Sequence, residues 1–181
     1  MIPARPLVVS VSADAAHRFS KPVRSHITLV AGHGIEGDAH AGPFVKHRFL
    51  ARRDSHMPND RQVHLMEAEL FAELADDGFT VGPGMLGENV TTRGLNLSRL
   101  PLGTRLHLGA EAVVELRGLR TPCVLINRFQ AGLLLAVLRT GPRPHYRAGV
   151  MGRVVAGGLV RAGDAIAVDA PEVPHRNLPA I

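Results

Sequence analysis

The chain has no tryptophan, a single tyrosine (Tyr146) and six phenylalanines, so its core must be built mainly from Val, Leu, Ile and Ala. Its one cysteine, Cys123, excludes an internal disulfide framework and a multi-cysteine zinc site within one chain. Lysine is nearly missing, with only Lys21 and Lys46 beside many arginines. The arginines are scattered, no basic run reaches five residues, and there are too few aromatic rings for a base-stacking platform, so no nucleic-acid partner is expected. Long apolar runs are also missing. No segment approaches the roughly 18 to 20 apolar residues of a membrane span. The N-terminus, Met1 to Pro6, leads into a run too short for a signal peptide. A cytoplasmic protein without a membrane partner is the expectation.

What is present points to short strands and turns. The 181 residues suit one domain, 45% are hydrophobic, and Gly (19) and Pro (13) punctuate the chain. The formal net charge is +5. Arginine forks suit phosphate and carboxylate, although a GC-rich coding sequence would produce the same bias.

Leu7–Val11 and His26–Val30 read as strands, and Pro43–Asp60 as a long polar, basic loop. Arg61–Met66 reads as a strand, followed by a helix over Glu67–Asp77 with Leu70, Phe71 and Leu74 at helical spacing. Leu86–Thr92 is strand-like, and Arg105–Leu108 with Ala112–Leu116 form a hairpin about Gly109-Ala110. Cys123–Ile126 reads as a further strand, Ala131–Leu138 as a buried helix, and Val150–Val155 and Ala165–Val168 as closing strands. The segments Gly103–Leu108 and Gly163–Val168 share a glycine turn followed by alternating apolar residues, a unit common in small closed barrels. Residues 171–181 are expected to be a flexible tail.

Four stretches carry candidate chemistry. Gly32–Gly42 holds four glycines with Asp38 and His40 two apart, which suits a ligand-binding loop with an acid and an imidazole on one side. A turn capped by Asp38 explains the same residues. Gly87-Glu88-Asn89 puts a carboxylate and an amide at a strand entry, fit either for a heterocycle edge or for local backbone bonds. In Arg120-Thr121-Pro122-Cys123 a lone thiol, otherwise most simply a small buried hydrophobe, has Arg120 and Arg128 nearby in sequence. Such cations favour the thiolate that attacks or ligates a soft metal. Arg147 and Arg153 flank a glycine-containing strand that suits an oxyanion, or simply a basic strand edge.

In this order the motifs resemble the MOSC family, named for the C-terminal domain of molybdenum cofactor sulfurases. The matching pieces are Gly34–His40, Arg61-Gln62-Val63, Gly87–Thr91, Gly94–Leu97, Leu102-Gly103, Arg120–Cys123, Arg147–Val150 and Gly163-Asp164. The resemblance spans roughly residues 5 to 170 and is to the small stand-alone bacterial type. It implies a mainly β fold, a closed β barrel of the pyruvate-kinase-barrel-like type with two or three short helices. It implies one domain over residues 1–170. It also implies the molybdenum cofactor, molybdopterin-bound, with Cys123 as the molybdenum ligand.

On that resemblance the expected activity is reduction of N-hydroxylated bases or amines. Arg120 and Arg147 would hold the pterin phosphate, Glu88 and Asn89 would contact the pterin or its loop, and Gly37 and Gly87 would let the backbone approach. Asp38 or His40 would relay protons, because cleaving N–O consumes protons as well as electrons. The 181 residues hold no pyridoxal-phosphate domain, no companion barrel and no iron–sulfur ligands, so a separate electron-donor reductase is expected beside the small-molecule substrate. A homodimer is left open. The alternatives are a non-enzymatic persulfide or cofactor carrier, and a metal-dependent hydrolase on Asp38, His40 and His64. The hydrolase lacks a paired-histidine helix motif.

Overall fold

The computed structural model describes residues 5–46, 48–139 and 145–181. Met1–Ala4 of the N-terminus and His47 of the expected loop lie outside the described residues. In chain order the elements begin with β1 (Leu7–Ser12), β2 (Val23–Arg24), β3 (Ile27–Val30), β4 (Gly34–Ile35) and α1 (Arg48–Arg53). Then come β5 (Val63–Glu67), α2 (Ala68–Asp76), β6 (Val90–Arg93), β7 (Arg105–Leu108) and β8 (Ala112–Leu119). The chain continues through α3 (Val124–Phe129), α4 (Leu133–Val137), β9 (Leu138–Arg139) and β10 (His145–Tyr146). It closes with β11 (Val150–Ala156), β12 (Gly158–Val160) and β13 (Ile166–Asp169).

Eight strands form one sheet in the order β13-β7-β8-β11-β5-β6-β1-β2, antiparallel except for the parallel pair β5–β6. That pair is joined across α2, as a parallel connection requires. The expected closed barrel is not formed. β13 and β2 end a linear order, and the sheet does not close on itself. A lone bridge, Leu7↔Ala165, joins β1 to the chain before β13, flanked by bonds from Val8 N–H to Asp164 O and from Ile166 N–H to Pro6 O. The physical reason is length: β13 has four residues, three of them exposed, and offers no continuous ladder to β1. The two glycine-turn segments that suggested a barrel are instead β7 and the lead into β13, paired with each other at one end of the sheet.

Both faces of β5 are buried, which explains why its sequence does not alternate. Val63 and Leu65 join a core with Val8, Val11, Leu106, Val114, Leu116 and Val150. Met66 turns the other way, against Leu70 and Leu74 of α2, Ile126 of α3 and Leu133 and Val137 of α4. The hairpin β7–β8 and helix α2 fall where the sequence places them. The expected strand at Cys123–Ile126 is corrected: Cys123 is extended and Val124 starts α3, because Ile126 anchors one helical turn in the second core while Val124 and Leu125 face outward. The helix expected to be apolar all round is α4, whose Leu135 is 70% exposed.

The C-terminal segment, expected to be loose, is hydrogen-bonded to the rest of the fold. Leu102 N–H donates to Arg176 O, Leu178 enters the main core, and Ala180 bridges Leu119 in parallel.

Candidate functional site

A cleft of about 580 Å³ opens on the face of the sheet that meets the helices. His64 and Met151, paired across β5 and β11, both line it. Cys123, partly exposed, lines it from the turn before α3, and Arg120 from the end of β8. Phe19, Lys21 and His40 arrive from the loops after β1 and β4, and Arg61 and Asn89 from just before β5 and β6. Among the described lining residues five are cationic (Arg18, Lys21, Lys46, Arg61 and Arg120) and none is a carboxylate.

Not all that charge is available. Arg18 binds Asp14 at 2.6 and 2.9 Å, and Lys21 binds both oxygens of Asp38 at 2.8 and 3.0 Å. Arg120 donates to Leu86 O at 2.9 Å and lies over the Phe19 ring at 5.9 Å, but is paired with no carboxylate among the described residues. Burial pushes the guanidiniums of Arg120 and Arg61 below the ordinary arginine value, while the thiolate form of Cys123 opposes this in both. Two largely desolvated cations thus face one thiol; among the described residues no carboxylate is in contact with either, and the buried Glu88 acts on Arg120 only from a distance. Such a pair has most to gain from an anionic ligand.

Asp38 lies behind the cleft wall rather than in it. Besides Lys21 it accepts bonds from the His40 and Asp14 amides and from Asn89 Nδ2. Burial alone would raise its carboxyl, but the contacts with His40 and Lys21 outweigh this and hold it well below the usual carboxylate range. The His40 ring is on the cleft wall, with Nδ1 3.4 Å from Asp38 Oδ1 and its edge against His17. Asn89 also takes the His64 amide on Oδ1 and donates to Ser12 O, so it ties β1, β5 and the Asp38 loop into one wall.

Glu88 does not line the cleft and is fully buried. Its Oε1 accepts from Gly84 N–H at 2.5 Å and Thr91 Oγ1 at 3.2 Å, and burial raises its carboxyl. Its contact is therefore with the loop that frames the cleft. Gly87 does line the cleft: at φ +83° a Cβ would stand 2.5 Å from Phe19 O, so only glycine lets the two loops meet. Gly37, at φ +72° with open space beyond, turns the chain towards Asp38 but does not line the cleft.

Arg147 is not brought to Cys123. It is ion-paired with Glu73 of α2 and borders a separate, smaller hollow with Glu67 and Tyr146. Its own amide donates to Val137 O at the end of α4, and its guanidinium is taken by Glu73. Nor are Asp38, His40 and His64 gathered as a hydrolase would need. Among the described residues no three His, Cys, Asp or Glu side chains are placed to share a metal ion. His64 is buried, and its Nε2–H donates to Ala148 O at 2.7 Å; burial foremost, then Arg120, holds its pKa well below the ordinary imidazole value. Arg61 and Lys21 were not among the residues chosen from the sequence. The only hint was the Arg61-Gln62-Val63 motif, and, for Lys21, being one of two lysines in an arginine-rich chain.

The fold and site define a mainly β protein with an open mixed sheet, a cap of short helices and a cationic, thiol-bearing cleft between them. The MOSC domain model matches residues 52–167, and the chain belongs to this family, which is associated with molybdenum cofactor binding. No curated protein matches the sequence. Among solved structures it is similar to the YuaD protein from Bacillus subtilis, at 23% identity and TM-score 0.74, covering 93% of this chain and 99% of that one. It is similar also to YiiM from Geobacillus stearothermophilus, at 18% identity and TM-score 0.70, over 95% of this chain and 79% of the other. YiiM from Escherichia coli matches at 21% identity and TM-score 0.64, over 96% and 74%. At these identities the likeness speaks for the fold. Among the described residues no helix is long and apolar enough to cross a membrane.

Proposed function

We propose that the cleft binds the molybdenum cofactor with the Cys123 thiolate as metal ligand, and that the protein reduces N-hydroxylated bases or amines. The observation that carries this reading is the meeting of one thiol with two arginines, Arg120 and Arg61, that have no ion pair among the described residues, in a cleft whose described lining holds no carboxylate. The residues present fit the group. A thiolate is a suitable soft ligand for a redox metal, arginine forks match a phosphate, and the cleft has the size of an ordinary small-molecule site. Arg120 and Arg61 would hold the phosphate, in place of the expected Arg120 and Arg147. When bound, the cofactor would supply the two-electron chemistry, fed by a separate reductase.

The chain's own residues do the rest. Asn89 and Gly87 shape the wall, and Phe19 gives a flat apolar surface. His40, half-exposed on that wall, holds and delivers a proton to the departing hydroxyl, which leaves as water. Asp38 stays ionised behind it and sets the loop that carries the ring. Reduction of N–OH to N–H consumes two electrons and two protons, so one route for protons into the cleft is required.

The test is expression in a host that makes the cofactor, followed by molybdenum and pterin content and turnover of an N-hydroxylated base for wild type and Cys123→Ser. Near-stoichiometric pterin and metal, with the metal lost in the variant, is expected. Cofactor without turnover from any electron donor would make the protein a carrier. No pterin in either protein would overturn the reading.

A further inference from the structure

We infer that the C-terminal residues Pro179–Ile181 act as a clasp that fixes the position of the loop carrying Cys123. Strand β8 pairs with β7 only over Ala112–Glu115. Backbone bonds of Leu116 with Thr104 and Gly103 carry this edge one residue further, and beyond it the C-terminal segment takes the place at Leu119. Leu119 N–H donates to Pro179 O at 2.7 Å, and Ile181 N–H donates to Leu119 O at 3.0 Å. Thr121 then gives both its amide, at 3.1 Å, and its hydroxyl, at 3.0 Å, to Ile181 O.

Arg120 alternates to the other side, its amide donating to Gly149 O at 2.9 Å. The stretch 119–121 is therefore held from both flanks, by β11 and by the clasp. From Thr121 to the thiol only Pro122 intervenes, and its ring removes most of the backbone freedom that could decouple them. The clasp is itself moored, because Leu178 is buried in the main core and Arg176 O accepts from Leu102. Gly118 explains the close fit: a Cβ there would stand 2.7 Å from both Pro179 O and Ile181 Cγ1. The inference concerns where the loop stands, so it holds whatever the cleft binds.

The test is the rate at which iodoacetamide alkylates Cys123, the only thiol, in native protein without cofactor at one fixed pH, beside the melting temperature. Gly118→Ala pushes the clasp off without touching the cleft, and deletion of residues 179–181 removes it. Both are expected to change the alkylation rate several-fold at a temperature well below melting. Ile181→Val, which keeps every backbone bond, is expected to react like wild type. Folded variants with unchanged rates would overturn the inference and leave the cofactor reading standing. Should both variants fail to fold, hydrogen exchange on the unaltered chain decides. The Thr121 and Ile181 amides are expected to be protected and to open together, and a freely exchanging Thr121 amide overturns the inference.

Discussion

Lys21 donates to both carboxylate oxygens of Asp38, and neither side chain has appreciable contact with solvent. A buried pair of this kind is costly to break from one side, because the remaining charge keeps its desolvation penalty. Lys21→Met is expected to destabilise the fold by about 3 to 5 kcal/mol. Lys21→Met combined with Asp38→Asn should recover part of that, since the one amide oxygen still serves the His40 amide while the NH2 group takes the place that accepted from Asp14 and Asn89. Urea unfolding of the two single variants and the double variant measures the coupling. Strictly additive losses would show that the pair contributes little.

The buried neutral His64 gives a pH dependence of known sign. Its folded-state pKa is depressed by burial and by Arg120, so below the unfolded value of about 6.5 the unfolded chain takes up a proton that the folded chain refuses. Stability is therefore full above that pH and falls as the pH drops, by at most about 1.4 kcal/mol per unit. In His64→Gln this part of the slope should vanish between pH 6.5 and 5. Chemical denaturation at half-unit intervals checks it.

Gly149 stands at φ +90°, and a Cβ would meet Leu65 O at 2.4 Å and His64 Nε2 at 2.6 Å. Gly149→Ala thus combines backbone strain of about 1 to 3 kcal/mol with a clash against the strand that forms the cleft floor. The expected result is a markedly lower melting temperature together with loss of ligand binding. A variant as stable as wild type would mean that β5 and β11 can separate more easily than their pairing indicates.

The arginines of the cleft and Arg147 make opposite predictions. Arg120→Ala and Arg61→Ala should each weaken retention of an anionic cofactor by roughly 10- to 100-fold, the range for a lost charge-assisted bond. Arg147→Ala should leave it unchanged, since that guanidinium is occupied by Glu73 on a different hollow. Pterin content of the purified variants decides between them.

Much of the site was readable from the sequence because glycine, proline and rare side chains mark it. Cys123, Arg120, Asn89, Gly87 and His40 do meet in one cleft. What failed depended on distant partners. Arg147 and Arg120 look alike in sequence, and only Glu73, 74 residues away, removes one of them. Cys-Val-Leu-Ile has every local mark of a strand, yet a pocket in the second core that takes Ile126 alone favours a helical turn. His64 passed as a weak candidate because one imidazole in an apolar strand does not announce which carbonyl will hold its proton. Closure of the sheet was misjudged for a similar reason. Alternation fixes which face a strand buries, but not whether the last strand is long enough to reach the first.

An open sheet has two edges, and unpaired edges are where chains add to one another and aggregate. In this molecule one edge is the two-residue β2, whose exposed pair includes Arg24, and the other is β13, which ends on Asp169. The lead into β13 already spends its backbone groups on Pro6 and Val8. Little free ladder is left for a stranger to continue. Short, charged, partly occupied margins thus leave little for edge-to-edge pairing, which closure would have prevented by having no margins at all.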